Sequence, residues 1–312
     1  MGSKHVGFGH QSGGFGTGPV AATIWAEILG EAVRLEPQYQ PLNSIRSVSP
    51  RALSLGSELA RGNFRAIVNY QDAISLVWLM FGDGDTTGAG PYTHNVPDSA
   101  TPAYVRPTFT VEAQRDVGDG GATHKYADCI MTELAVQVAV NEAAEIAGAV
   151  LGGAETLGSP STPSYPDFDL VVPTDCTVEV DSVAVAVERF QVALSWPADE
   201  PSKLGAVGLA RKPRDAGELT IRGSFTLLEH DATQYSKFTG HSDLQIELLA
   251  ALAGAAPETF EVLIPRAKLI QATPALEGRA TPKPVYEFEA QLGAVVPYPV
   301  LFSSINDKAT LP

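Results

Sequence analysis

The chain has 312 residues, of which 44% are apolar and 18% charged, and its formal net charge is −15. This length fits two domains better than one, and the apolar content excludes a disordered chain. The acidic charge argues against free nucleic acid as a ligand, because phosphate binding needs a basic patch. Residues 1–18 lack the apolar core of a signal peptide, and the most apolar stretch, 248–256, is too short to span a bilayer. We therefore expect a soluble protein made in a cytoplasm.

The first predicted segment, 1–40, comprises an N-terminal arm and a first strand. Residues 5–19 are rich in glycine and show no apolar period, which predicts a flexible arm. Residues 22–35 are more apolar and end at Glu36-Pro37, since a residue before proline avoids the helical region. The polar residues 45–61 then predict a long hairpin loop.

Five later segments alternate apolar and polar residues with a period of two, which predicts strands. Their apolar residues are Leu134, Val136, Val138 and Val140; Val178 and Val180; Phe190, Val192, Leu194 and Trp196; Phe260, Val262 and Ile264; and Tyr286, Phe288, Ala290 and Leu292. The polar residues between them predict antiparallel sheets with one solvated face.

Two short helices have start and stop signals. Asp72 precedes the apolar run Ala73–Phe81, and Asp231 precedes Ala232–Thr239; each run is followed by glycine. Aspartate is a good N-cap and glycine a good C-terminal stop. A third helix is predicted at 243–253.

The order of these elements predicts an internal duplication. Similar residues begin a strand in each half: Glu58, Leu59, Arg61, Gly62 and Phe64 in the first, and Glu218, Leu219, Arg222, Gly223 and Phe225 in the second. A capped helix, a long alternating strand and a last strand ending in Leu-Gly follow in both halves. We therefore predict a mainly β protein with two tandem antiparallel β-sandwich or barrel modules, each flanked by a short helix.

The predicted boundaries follow composition. The first module occupies 41–157 and the second 177–300. Between them, 158–176 is rich in proline and serine, which is typical of a linker. Residues 301–312 are predicted to form a C-terminal tail.

No motif predicts a catalytic, cofactor or metal site. The glycines of 7–18 follow no strand and lack the Gly-Lys-Ser/Thr of a phosphate loop. His124 and Cys129 have no second pair of metal ligands. Asp83 and Asp85 lie in a glycine-rich turn that lacks the other ligands of a calcium loop. Cys129 and Cys176 make no disulfide framework, and their pairing stays open.

The N-terminal half resembles the tail tube proteins of long-tailed bacteriophages. The resemblance rests on three groups of residues: Gly7-Phe8-Gly9 with Phe15-Gly16-Thr17, then the 25–33 segment; Gly56-Ser57-Glu58 with Gly62 and Phe64; and Tyr126, Asp128 and Cys129 before the alternating run. It implies a β-sandwich or barrel with a short helix, and subunits whose rings stack into a hollow tube that conducts DNA without binding it specifically.

A duplicated chain would build a pseudo-six-fold homotrimeric ring, with a homohexamer as the alternative. The partners implied are copies of the chain and other tail proteins, not a membrane. The location implied is the virion tail, assembled in the host cytoplasm, and the protein is expected not to be an enzyme.

Two other functions remain open from the sequence. One is another ring-forming virion component, such as a tail terminator, adaptor or decoration protein. The other is a β-sandwich carbohydrate-binding module that uses exposed aromatic residues such as Trp25, Trp78 and Trp196, although core packing fits Trp78 and Trp196 better.

Overall fold

A computed structural model describes residues 5–42, 52–115, 123–165, 169–201, 209–229, 231–254, 258–273, 283–293 and 296–312. The protein is mainly β, with antiparallel strands and two α-helices, as the sequence predicts.

The strands of the first half are β1 (His5–His10), β2 (Ile24–Trp25), β3 (Ile28–Glu31), β4 (Arg34–Leu42), β5 (Ala52–Ile67), β6 (Asp85–Thr87), β7 (Tyr92–Val96), β8 (Phe109–Gln114), β9 (Thr123–Ala139), β10 (Glu142–Gly152) and β11 (Glu155–Gly158). Those of the second half are β12 (Cys176–Val180), β13 (Val183–Val185), β14 (Val187–Ser195), β15 (Thr220–Leu227), β16 (Asp243–Ala251), β17 (Thr259–Thr273), β18 (Val285–Ala290) and β19 (Leu301–Asn306). The helices are α1 (Ala73–Phe81) and α2 (Ala232–Thr239), and a 3-10 turn covers Pro173–Asp175.

In the first half, β9 is the central strand. Its N-terminal part lies between β8 and β11, and β8 in turn pairs with β1. Its C-terminal part pairs with β10, which continues to β5 and then to β3 and β4. In the second half, β17 lies between β16 and β18, β16 pairs with β12, and β18 continues to β15 and β14.

Both halves contribute to one apolar cluster. Its members include Phe8, Phe64 and Phe109 from the first half and Phe225 and Phe288 from the second, each at most 1% exposed. Burial of apolar area is the main force that favours folding. Most of the alternating residues predicted for the strands supply this cluster, so the period of two is confirmed as the signal of the sheet. The prediction is wrong at Val140 and Leu292, which lie beyond the ends of β9 and β18 and are exposed.

Helix α1 differs in environment from α2. All nine of its residues are buried, whereas α2 buries only Gln234. The predicted N-cap is confirmed at Asp231, whose side chain accepts a hydrogen bond from the Thr233 N–H at 2.7 Å. At Asp72 the N-cap position is confirmed, but the side chain makes no capping hydrogen bond, because that carboxylate binds the Lys308 ammonium group instead.

The predicted flexible arm is wrong for His5–His10, which form strand β1. Strand β1 lies between β2 and β8, with Val6 and Phe8 buried. Its glycines are packing positions: a Cβ on Gly7 would lie 2.7 Å from the Trp25 ring. Close packing, and not freedom of the backbone, explains glycine at Gly7.

The third predicted helix is also wrong, because Asp243–Ala251 forms strand β16 between β12 and β17. Part of the predicted loop 45–61 belongs to the long strand β5, while 43–51 lies outside the described residues. The predicted tail contributes strand β19, which pairs with β17 and with β7 of the first half.

Candidate assembly surface

The two halves are joined by a β-seam between β9 and β14. Residues 189–195 pair antiparallel with 133–139, with Leu194 opposite Leu134 and Val192 opposite Val136. These four side chains are buried in the shared apolar cluster. The seam therefore makes one continuous sheet from strands of both halves.

One end of the seam is closed by Trp196. Its N–H donates to the Thr132 carbonyl at 2.8 Å, and its own carbonyl accepts from Arg106 Nη2 at 2.7 Å. The Arg106 guanidinium also lies 4.2 Å from the centroid of the Trp196 ring, a cation–π distance. Burial lowers the pKa of Arg106, while Asp215, 3.5 Å away, opposes that shift. Trp196 is therefore a packed residue of the seam.

Several strands pair on one side only within the described residues, among them β4 and the C-terminal end of β17. Strand β4 pairs with β5 on one side only. The 269–273 end of β17 pairs with β18 only, because β16 reaches no further than Lys268. Ile270 in this end is 48% exposed. Unpaired edges are templates for pairing with another chain.

The β4 edge carries charge. Arg34 and Glu36 form an ion pair of 3.0 Å, and their side chains are 71% and 41% exposed. Pro37 follows, and proline is tolerated on edge strands. Charge and proline are features by which natural proteins restrict nonspecific edge pairing.

A buried carboxylate ties the N-terminal strand to the sheet. Glu112 on β8 is fully buried, 3.2 Å from Lys125 Nζ and 3.6 Å from His5 Nε2, and it accepts from the Ser161 N–H and hydroxyl group at 2.5 and 2.7 Å. Burial alone would raise the pKa of Glu112, but the Ser161 hydrogen bonds and Lys125 lower it overall. Glu112 therefore holds the start of the predicted linker against β8.

Three glutamates cluster on the solvated face of β12, β16 and β17. Glu179 lies directly opposite Glu247, and Glu261 is on the adjoining strand. Burial, and then the charge of Glu179, raises the pKa of Glu247; burial, and then Glu247, raises that of Glu261. The cluster concentrates negative charge on this face.

The residues considered as metal ligands contact other groups. His124 Nδ1 lies 2.5 Å from Glu155, and the buried Cys129 thiol donates to the Tyr126 carbonyl at 3.3 Å. Asp85 accepts from Asn95 and Ser99. Across the part of the chain that the structure describes, no group of three or more His, Cys, Asp or Glu side chains could hold a metal ion.

The remaining candidate residues are structural in their contacts. Both cysteines are free thiols, so the pairing left open by the sequence is absent. The three tryptophans are at most 8% exposed, which is unlike the exposed rings of a carbohydrate platform. No helix in the described residues is long and apolar enough to cross a membrane.

Sequence reasoning identified the two strands of the seam but missed their pairing. The two strands were predicted from the alternation of apolar and polar residues in 134–140 and in 190–196. Alternation specifies which face of a strand is buried but leaves its neighbour open.

The comparisons with known proteins identify the family. A family model described as phage tail tube protein matches residues 3–291, nearly the whole chain. No curated protein matches the chain significantly. A mainly antiparallel β architecture with unpaired edges agrees with a protein that assembles through its surfaces. The chain therefore belongs to the phage tail tube protein family, the structural proteins of the phage tail.

Proposed function

We propose that three copies of this chain form a ring with pseudo-six-fold symmetry, and that these rings stack into a hollow tube through which the phage genome passes. Six similar modules would then surround the lumen, two from each chain. The observation that carries this proposal is that strand pairing follows the same plan in both halves.

The plan extends over six strand positions in each half, and β3 and β4 share the sixth position in the first half. In the first half the spatial order is β1, β8, β9, β10, β5 and then β3 with β4. In the second half it is β12, β16, β17, β18, β15 and β14. Helix α1 follows β5 along the chain, and α2 follows β15. This agreement supports the tandem duplication on which a trimeric ring depends.

Irregularities of the register coincide as well, beginning with the pairing of β9 with β10 and that of β17 with β18. The pairing of β9 with β10 skips Thr132, and the pairing of β17 with β18 skips Ile270. In each half, the residue pair just before the skipped residue is aligned with a glycine on the adjoining strand, Gly62 on β5 and Gly223 on β15. Because a bulge re-aims the strand that carries it, a shared bulge is a specific structural feature.

Two further shifts occur at equivalent places. In the first, the pairing of β3 with β5 skips Leu29, and the pairing of β14 with β15 skips Glu188. The second lies between Phe109 and Val111 in β8, and between Leu244 and Ile246 in β16. Three matched bulges along one strand order favour duplication over a coincidental arrangement.

The electrostatics suit passage of DNA. The net charge of −15 repels phosphates, so a lumen lined by such chains would offer DNA little to hold it. The proposed role therefore needs no catalytic group, and we propose that the chain acts through its assembly surfaces and has no enzymatic activity. The virion tail is its proposed location, after assembly in the host cytoplasm.

The test is the mass and shape of the assembly. Purified protein is concentrated and studied by light scattering and by electron microscopy of rings and tubes. We expect layers of three 32.9-kDa chains with six density lobes around an open centre. Monomers alone at high concentration would contradict ring formation, and layers of six chains would contradict the trimer.

A further inference from the structure

We propose that β4 of one copy pairs antiparallel with the 269–273 end of β17 of the next copy, in the register that β14 and β9 adopt within the chain. This inference rests on the proposed ring and names the surface that closes it. The partner it commits to is a second copy of the same chain.

The argument begins with the seam inside the chain. There β14 of the second half adds to β9 of the first, next to the Thr132 bulge. By the shared strand order, β14 corresponds to β3 with β4, and β9 corresponds to β17. The counterpart of the seam would thus join β4 to β17, and within the described residues no further strand covers the outer edge of β4 or the 269–273 end of β17.

The register follows from the glycines and bulges. The β15 residue that pairs with Ser195 lies three residues before Gly223, and the β5 residue that pairs with Glu36 lies three residues before Gly62. Glu36 therefore corresponds to Ser195. Glu133 directly follows the Thr132 bulge, as Gln271 follows the Ile270 bulge. Since Ser195 lies opposite Glu133, Glu36 is placed opposite Gln271.

The neighbouring pairs are then fixed. Leu35 lies opposite Ala272, and Arg34 lies opposite Thr273. Leu35 and Ala272 are each half-buried, and Ala272 packs against the apolar core, as a continued seam requires. No pair brings like charges together, which would destabilise the joint. The ladder ends after Glu36, because Pro37 stands where Trp196 stands in the seam and has no N–H to donate.

The closing experiment is disulfide trapping. Directly opposite residues of antiparallel strands have Cα atoms about 4.5–5.5 Å apart, which suits a disulfide. The variant Glu36→Cys with Gln271→Cys, in a Cys176→Ala background, is assembled and oxidised. We expect covalent dimers and closed trimers on a non-reducing gel, lost on reduction.

Two matched variants serve as controls. Ser195→Cys with Glu133→Cys should form a disulfide within one chain, because these residues are opposite each other in the seam. Glu36→Cys with Leu292→Cys places the second thiol at an exposed site outside the predicted edge, and it should give few linked chains.

The outcomes separate this inference from the proposed ring. Rings that form normally without linkage between positions 36 and 271 would overturn the pairing alone. Linkage to position 292 that equals linkage to position 271 would overturn it as well. If the wild-type protein forms no rings, the proposed function fails, and this inference fails with it.

Discussion

Phe288 lies directly opposite Gly223 across β15 and β18, and its ring occupies the space that a side chain at Gly223 would need. A Cβ there would lie 2.7 Å from Phe288 Cε2 and 2.5 Å from the Gln191 carbonyl oxygen. The glycine therefore permits the aromatic ring to pack across the sheet.

Gly223→Ala should accordingly lower the free energy of unfolding by about 1–3 kcal/mol, the usual cost of overpacking. Chemical denaturation monitored by tryptophan fluorescence measures it. The matched control is Gly254→Ala, because a Cβ at Gly254 meets nothing within 4 Å. Equal stability of the two variants would contradict the packing role of Gly223.

Glu112→Gln should destabilise the protein by about 1–3 kcal/mol at pH 7, since it removes a buried charge that accepts several hydrogen bonds. The pKa of Glu112 is below its ordinary value of 4.5 in the folded state. The stability that it contributes is thus present above pH 4.5 and lost as the pH falls through the folded pKa.

Thermal unfolding of wild type and Glu112→Gln between pH 7 and pH 3 measures this contribution, and the gap between them should narrow in acid. Glu142→Gln, at the exposed first residue of β10, is the control and should show no such gap. A gap that is constant across this pH range would argue against the ionised form of Glu112.

Glu247→Gln should have the opposite effect and stabilise the protein at pH 7 by about 0.2–1 kcal/mol, because it removes the like charge opposite Glu179. The pKa of Glu247 is raised in the folded state by burial and then by Glu179. The contribution of Glu247 to stability is therefore most favourable below its ordinary pKa of 4.5, and it declines as the pH rises through the pKa of the folded state.

The measurement is again a pH series of melting temperatures. The advantage of Glu247→Gln should vanish in acid, and Glu229→Gln, at an exposed position, should give none. Destabilisation at pH 7 would show that the Glu247 carboxylate makes a favourable contact.

The two thiols should differ in reactivity. Burial raises the pKa of Cys129 to about 12 and that of Cys176 to about 11, and Cys129 is fully buried. Because the thiolate is the reactive form, a colorimetric thiol reagent at pH 8 should leave Cys129 unmodified and react slowly with Cys176.

Both thiols should react after unfolding, and Cys176→Ala should remove the slow phase. Gel mobility should be equal with and without reductant, since neither cysteine is in a disulfide. Fast modification of two thiols in the folded protein would contradict the burial of Cys129.

The sequence predicted the strands well where side chains alternate, as at 134–140, and both short helices. It failed at Asp243–Ala251, where leucine, alanine and glutamate favour a helix. Pairing with β12 and β17 overrides that preference, because Leu244, Ile246 and Leu248 then face the core.

The prediction for the N-terminal residues was wrong for a different reason. A glycine-rich stretch suggests a flexible backbone, but the atoms around Gly7 and Gly9 lie too close for any side chain. Such contacts depend on residues distant in sequence, which a local pattern does not contain. The outer edges of β4 and of the end of β17 could not be predicted for the same reason, since a strand edge is defined only once the neighbouring strands are known.

The seam between β9 and β14 has a consequence for the kinetics of growth. Its two strands belong to one chain, so they meet at an effective concentration that dilution cannot lower. A joint between separate copies must instead offset about 4–15 kcal/mol of lost translational and rotational freedom. Half of the joints in a three-chain ring would thus form during folding, and the concentration of free protein would control only the other half.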